Sequence, residues 1–278
     1  MSGLPGATQR LLDEFQRQLD RIETVAPMRG SYERIEPRVV EQHAGGLRYD
    51  LVVYHRESEA WYSEGRGDAS LDLYREQAWI RPSEVVFDIG CNAGLITVWL
   101  GLTVGPGGRV LAFDPYPWNA LATHVNCLLN GLENVTVLAV GLGDRNSQIR
   151  LPLDSARTLD TGDPSTPTMN AKVVDIAAFV DEDPGFLKID IEGGEYELAR
   201  ADWSRFRRLE RIFLELHPFY IEDRGLDTRD VLHRFADAGF ALRYGHPLAA
   251  EADAGTVDIA HGGWWLSRPP RRAAAHDR

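Results

Sequence analysis

Leu11, Leu12, Phe15, Leu19 and Ile22 recur three and four positions apart among polar neighbours, which predicts an amphipathic helix over 8–23. The rhythm then changes to period two. Across 37–55, Tyr49, Leu51 and Val53 alternate with Asp50, Val52 and Tyr54, and Gly45 and Gly46 supply a tight turn, so this stretch predicts a β-hairpin. The run WYSEGRGDAS follows, an aromatic pair and a glycine-rich polar segment that fits either a lid or a plain connection. Leu71, Leu73, Tyr74 and Trp79 predict a helix from 70 to 80, stopped at Pro82.

From residue 84 strand-like and helix-like runs alternate, the pattern of a parallel sheet joined by right-handed crossovers. Val85, Val86, Phe87 and Ile89 are too apolar for a half-exposed strand and suit a central one buried on both faces. Further strands are predicted in RVLAF (109–113), NVTVLAV (134–140), GFLKIDIEG (185–193) and RIFLELHP (211–218). Helices are predicted over 94–104 and 117–130, with a crossover helix carrying Tyr196, Leu198, Ala199 and Trp203. A last helix and strands gather around Phe235, Phe240, Leu242 and Trp264 to Leu266. Residues 145–171 break the alternation: SQIRLPL reads as a short strand and DTGDPSTPTMN as turn formers, either a substrate-facing flap or an inert surface insertion. The expected organisation is an N-terminal helix-plus-hairpin extension over 1–75, an α/β domain over 76–268 and a disordered tail over 269–278.

Composition narrows the partners. The chain has 278 residues, 44% of them hydrophobic, enough for one large α/β core. Its 42 acids against 30 bases, net −12, disfavour nucleic acid as a substrate. Cys91 and Cys127 stand in no metal or redox spacing and suit a reducing compartment. The N-terminus lacks a basic stretch followed by an apolar run, and no segment reaches membrane-spanning length. The expectation is a cytoplasmic protein without a membrane partner; nothing in the sequence sets its oligomeric state.

The chemistry concentrates at the tips of the predicted strands. Asp88 ends the first core strand, and Gly90, Asn92 and Gly94 form a turn onto an apolar helix, the place where open α/β sheets bind ligands. A dinucleotide fingerprint would need glycines at the third and sixth positions from Gly90, where Asn92 and Leu95 stand instead. Asp114 ends the second strand, 26 positions after Asp88, where a carboxylate can accept from both hydroxyls of a ribose.

Taken together, VFDIGCNAG, AFDPYPWN, FLKIDIEGGE and FLELHP resemble the FkbM family of S-adenosylmethionine-dependent methyltransferases over residues 76–220. The resemblance implies a Rossmann-like class I methyltransferase sheet, mostly parallel and seven-stranded, and O-methylation of a small-molecule natural product or sugar. It places Asp88, Gly90, Asn92 and Gly94 along the methionine end of the cofactor and Asp114 at its ribose, with Gly143 and Asp144 beside its adenine. Cys91 stands where the family more usually has alanine, and Asp114 where it has glutamate. An N- or C-methyltransferase, or a non-catalytic scaffold keeping the fold, remains the alternative.

Methylating a hydroxyl requires a base or a metal that acidifies it. Asp190 and Glu192 lie at the end of the fourth strand and Glu215 and His217 at the end of the fifth, and the two-residue spacing directs each pair to one face. His217 is the candidate base, with Asp190 as its partner or as an anchor for the acceptor hydroxyl, and Glu215 beside them. Salt bridging to Lys188 is the structural alternative for Asp190. The same carboxylates and imidazole admit a divalent metal, which the sequence leaves open.

Overall fold

The computed structural model describes residues 6–65, 70–77, 79–154, 165–246, 248–253 and 262–269. The end of the expected lid (66–69), part of the expected flap (155–164) and all but the first residue of the expected tail lie outside the described residues. The first helix, α1 (Gly6–Glu23), buries Leu12, Phe15 and Leu19, the stripe its periodicity announced. Strands β1 (Arg34–Ala44) and β2 (Leu47–His55) pair antiparallel and turn at Gly45 and Gly46. The alternation expected along β2 is absent from its burial: Leu51, Val52, Val53 and Tyr54 are all fully buried. The hairpin has protein on both faces. Tyr49 and Leu51 join a cluster with Tyr74 and Trp99, while Val52 and Tyr54 join Phe15, Leu19 and Trp118.

Among the described residues, the outer edge of β2 pairs with no strand. Two asparagines of a later helix satisfy it instead: Asn126 accepts from the Val52 N–H at 2.7 Å, and Asn130 both accepts from the Asp50 N–H at 2.9 Å and donates to its carbonyl at 2.8 Å. Beyond β2, α2 (Arg56–Tyr62) begins where the His55 ring accepts from the Ser58 N–H and Ser58 reciprocates toward the backbone of His55. Trp61 and Tyr62, the aromatic pair ahead of the glycine-rich segment, therefore end a helix. The next helix, α3 (Ser70–Glu76), is shorter than the predicted 70–80.

The core elements follow as β3 (Val85–Ile89), α4 (Leu95–Val104), β4 (Arg109–Phe113), α5 (Pro117–Leu129), β5 (Val135–Leu138), β6 (Gly141–Gly143), β7 (Ser147–Pro152), β8 (Thr168–Asp175), β9 (Phe186–Ile189), α6 (Glu195–Leu198), β10 (Arg211–Leu216), α7 (Pro218–Glu222), α8 (Arg229–Asp237), β11 (Ala241–Tyr244) and β12 (Gly262–Ser267). Seven strands form the main sheet in the order β11-β12-β10-β9-β3-β4-β5, with β12 alone running antiparallel to its neighbours. This is the expected mostly parallel sheet, with β3 central and buried as its apolar run required.

Two departures follow from where strands stop. The predicted strand 134–140 ends at Leu138, and Gly141–Gly143 crosses into a separate sheet of order β6-β8-β7. SQIRLPL does form a strand, β7, and its antiparallel partner β8 was not legible because TMNAKVVD mixes polar and apolar positions. The predicted strand 185–193 ends at Ile189, so Asp190 lies just past the strand and Glu192 in the turn that follows. Arg268 closes the fold, donating to the carbonyls of Leu209, Ala238, Trp203 and Phe206. Among the described residues, no helix is long and apolar enough to cross a membrane.

Candidate active site

The tips of β3, β4, β9 and β10 border one cavity of about 870 Å³, within the usual range for small-ligand sites. After β3 the chain turns at Gly90, whose N–H donates to the Phe113 carbonyl at 2.8 Å. Gly90 has φ +85, and a Cβ there would stand 1.7 Å from the Asp190 carbonyl oxygen, so the approach of the chain leaving β9 leaves room only for glycine. Asn92, also left-handed at φ +46, donates its N–H to Asp114 Oδ2 at 2.9 Å. Asp114 accepts further bonds from the Tyr116 N–H and the Asn119 amide. Burial pushes its pKa up to about 7, against the pull of those donors.

Gly90, Asn92, Asp114, Gly143 and Asp144 all line the cavity, whereas Asp88 and Gly94 do not. Gly94 caps α4 against Thr123. Asp88 is fully buried beneath the loop, where it accepts from the Thr97 hydroxyl at 2.5 Å and lies 3.6 Å from Lys188 Nζ. Lys188 donates to the Gly90 carbonyl at 2.8 Å and meets Asp190 Oδ2 at 3.1 Å. Burial opposes its charge, but Asp190 and Asp88 outweigh that and hold the ammonium protonated. Asp88 thus supports the loop from below through Lys188. Asp144 is held by Arg200 at 3.2 Å.

Asp190, Glu192, Glu215 and His217 line the same cavity as Asp114. For Asp190 and Glu192 the convergence does not come from strand alternation, because β9 ends at Ile189. Glu192 (φ +51) bends the chain back after β9, and His217 caps α7 just beyond β10. His217 Nε2 lies 3.5 Å from Glu192 Oε2 and 3.8 Å from Asp190 Oδ1. Its Nδ1 bonds Glu195 Oε1 at 2.9 Å. The tight partner of the imidazole is therefore Glu195 and not Asp190. Glu195 is 1% exposed and accepts from the N–H groups of Ile191 and Gly193. Its sequence signal was an acid opening a helix three residues after Glu192.

Burial works against a charged His217, but the bond to Glu195 and the nearby carboxylates push its pKa up to about 9. Burial pushes Glu192 up to about 7, with His217 opposing and Asp190 reinforcing. His217, Glu192 and Asp190 thus titrate as a coupled group, with the imidazole favouring its charged form and Glu192 its neutral one. Asp190, Glu192 and His217 each offer a ligand atom within 4.8 Å of the others, so they are also the residues that could hold a metal. Aromatic walls complete the cavity: Tyr32, Trp61, Tyr62, Phe219 and Tyr220, with Trp61 and Phe219 both strongly exposed.

This strand order, with a glycine turn after β3 and acids at the tips of β4 and β9, is the Rossmann-like arrangement of class I methyltransferases. Residues 88–242, more than half the chain, match the methyltransferase FkbM domain, and the chain belongs to that family. Similar solved structures include an S-adenosylmethionine-dependent O-methyltransferase from Thermotoga maritima, 14% identical, covering 86% of this chain and 80% of that one at a TM-score of 0.47. A putative rRNA methylase from Clostridium thermocellum is 12% identical, covering 74% and 98% at a TM-score of 0.48. A fibrillarin from Aeropyrum pernix with natively bound S-adenosyl-L-methionine is 11% identical, covering 87% and 85% at a TM-score of 0.42. No curated protein matches the sequence. The cofactor is S-adenosylmethionine. The donor set suits it: a buried carboxylate for a diol and a glycine-bearing turn with no cradle for a pyrophosphate.

Proposed function

We propose that this chain O-methylates a hydroxyl of a small molecule, a natural product or sugar. The observation that carries this reading is the grouping of Asp190, Glu192 and His217 in the cavity that also holds Asp114. Asp114 takes the ribose hydroxyls, Gly90, Asn92 and the chain around them take the methionine end, and Gly143 and Asp144 border the adenine. Asp88 and Gly94 serve cofactor binding by shaping the loop. S-adenosylmethionine supplies an electrophilic methyl group. The protein's part is to hold the acceptor oxygen in line at about 3 Å and to receive its proton. That proton goes to the Asp190–Glu192–His217 group, with Glu215 beside it and Glu195 fixing the ring.

The aromatic walls supplied by residues 32, 61 and 62 make the N-terminal extension the boundary of the acceptor space. Net charge −12 supports a small-molecule acceptor over nucleic acid, and two free, buried cysteines suit the cytoplasm. The test is methyl transfer from labelled cofactor to a panel of glycosides, polyketides and matched amines, with products located by mass spectrometry. Oxygen-methylated products are expected, and His217→Gln should slow their formation by about 100-fold or more while S-adenosylhomocysteine affinity is kept. Methylation confined to nitrogen or carbon would overturn the reading.

A further inference from the structure

We infer that Asp190, Glu192 and His217 form a binding site for one divalent first-row metal ion, with Glu195 as the residue that positions the imidazole. The two nitrogens of His217 are treated differently. Nδ1 makes a close bond to a buried carboxylate that is itself anchored by two backbone N–H groups. This fixes the ring and turns Nε2 toward Asp190 and Glu192. Two carboxylates then converge on that one nitrogen at 3.5 and 3.8 Å, both longer than a hydrogen bond.

An ion fits this spacing better. Donors about 2.1 Å from a common metal stand about 3.0 Å apart at the corner of an octahedron and about 3.4 Å apart in a tetrahedron. The three donor atoms here all lie within 4.8 Å of one another, and the two carboxylates, about a quarter exposed, have freedom to close the remaining gap. Asp190 divides its oxygens, Oδ2 meeting Lys188 and Oδ1 facing His217, so its ion pair does not consume the ligand position. The carboxylate–imidazole pair behind the site is the outer arrangement that orients a metal-bound histidine. Two oxygens and one imidazole nitrogen favour Mn²⁺, Fe²⁺ or Zn²⁺ over Mg²⁺ and Ca²⁺. In its role, though not in its geometry, the site rests on the O-methylation reading and replaces the direct proton transfer to these side chains: the ion would hold the acceptor hydroxyl and lower its pKa, the released proton passing to solvent.

The test is titration of the purified full chain with Mn²⁺ alone, followed by loss of the free-ion paramagnetic resonance signal, with S-adenosylhomocysteine affinity measured in parallel by calorimetry. One ion per chain is expected, held at least tenfold more tightly than Ca²⁺. Glu192→Gln and Asp190→Asn should each weaken Mn²⁺ at least tenfold and Glu195→Gln several-fold, with S-adenosylhomocysteine affinity within twofold of the parent. Absent Mn²⁺ binding, or binding indifferent to both Glu192→Gln and Asp190→Asn, overturns the site. Hydroxyl methylation at full rate after chelation also overturns it while leaving the O-methylation reading intact. Mn²⁺ binding as described with no hydroxyl acceptor methylated keeps the site and removes that reading.

Discussion

Asp114 is surrounded by donors, yet burial still pushes its pKa up to about 7, which makes its charge state adjustable in the neutral range. A ribose diol donates hydrogen bonds, so the ionised carboxylate is the form that holds it. S-adenosylhomocysteine affinity is therefore expected to fall as pH drops through 7, approaching tenfold per unit below it, and Asp114→Asn should flatten that dependence. Stability of the ligand-free chain runs the opposite way. A carboxyl whose folded pKa is raised above its unfolded value contributes stability that is full below about 3.8 and lost as pH rises through 7. Calorimetric titration from pH 5.5 to 8.5 checks the first trend, and a flat parent profile refutes it. Asp114 was readable because an acid at a strand tip has few other uses. Glu195 was not, since its partner lies 22 positions away across a turn whose course depends on the left-handed Glu192 and Gly193.

At the level of elements, the glycine turn after β3 is constrained by chain against chain as much as by ligand. Any side chain at 90 meets the backbone oxygen of Asp190 in a conformation that side chains avoid. Gly90→Ala is expected to destabilise the fold by about 3 kcal/mol or more. Gly131→Ala is the control: φ is +65 but nothing lies within 4 Å, so the left-handed backbone alone should cost about 1–2 kcal/mol. Urea unfolding of both variants separates the effects, and equal losses would refute the steric argument. The same contrast explains which elements were legible. The core strands carry their own apolar signal, so β3, β4, β9 and β10 stood out, although β9 was read too long because Asp190 and Ile191 prolong the pattern past its last pair. α2 and β8 depend on a capping exchange at His55 and on pairing with β7, neither of which leaves a period in the sequence.

Across the whole molecule, the N-terminal extension is fastened to the sheet by contacts that span the boundary expected near residue 75. Asp50 is bound to Asn130, 80 positions later, and Val52 to Asn126. Phe15 packs edge-on to Tyr54 at 5.3 Å within the cluster that also contains Trp118. Nothing periodic announces such contacts, because an asparagine that replaces a strand partner looks like any polar helix residue. Their consequence is cooperative folding. Leu12, Phe15 and Leu19 are 5%, 1% and 0% exposed, and burying three such side chains is worth roughly 5–9 kcal/mol, comparable with the roughly 5–15 kcal/mol stability of an ordinary domain. Removal of residues 1–24 should then lower the melting temperature by about 15 °C or more, and the intact chain should melt in one calorimetric transition. Two resolved transitions, or a truncated chain that melts like the parent and binds S-adenosylhomocysteine equally well, would mean that the extension is a separate unit resting on the sheet. In that case Trp61 and Tyr62, which reach the cavity from the extension, would no longer be fixed walls of the acceptor space.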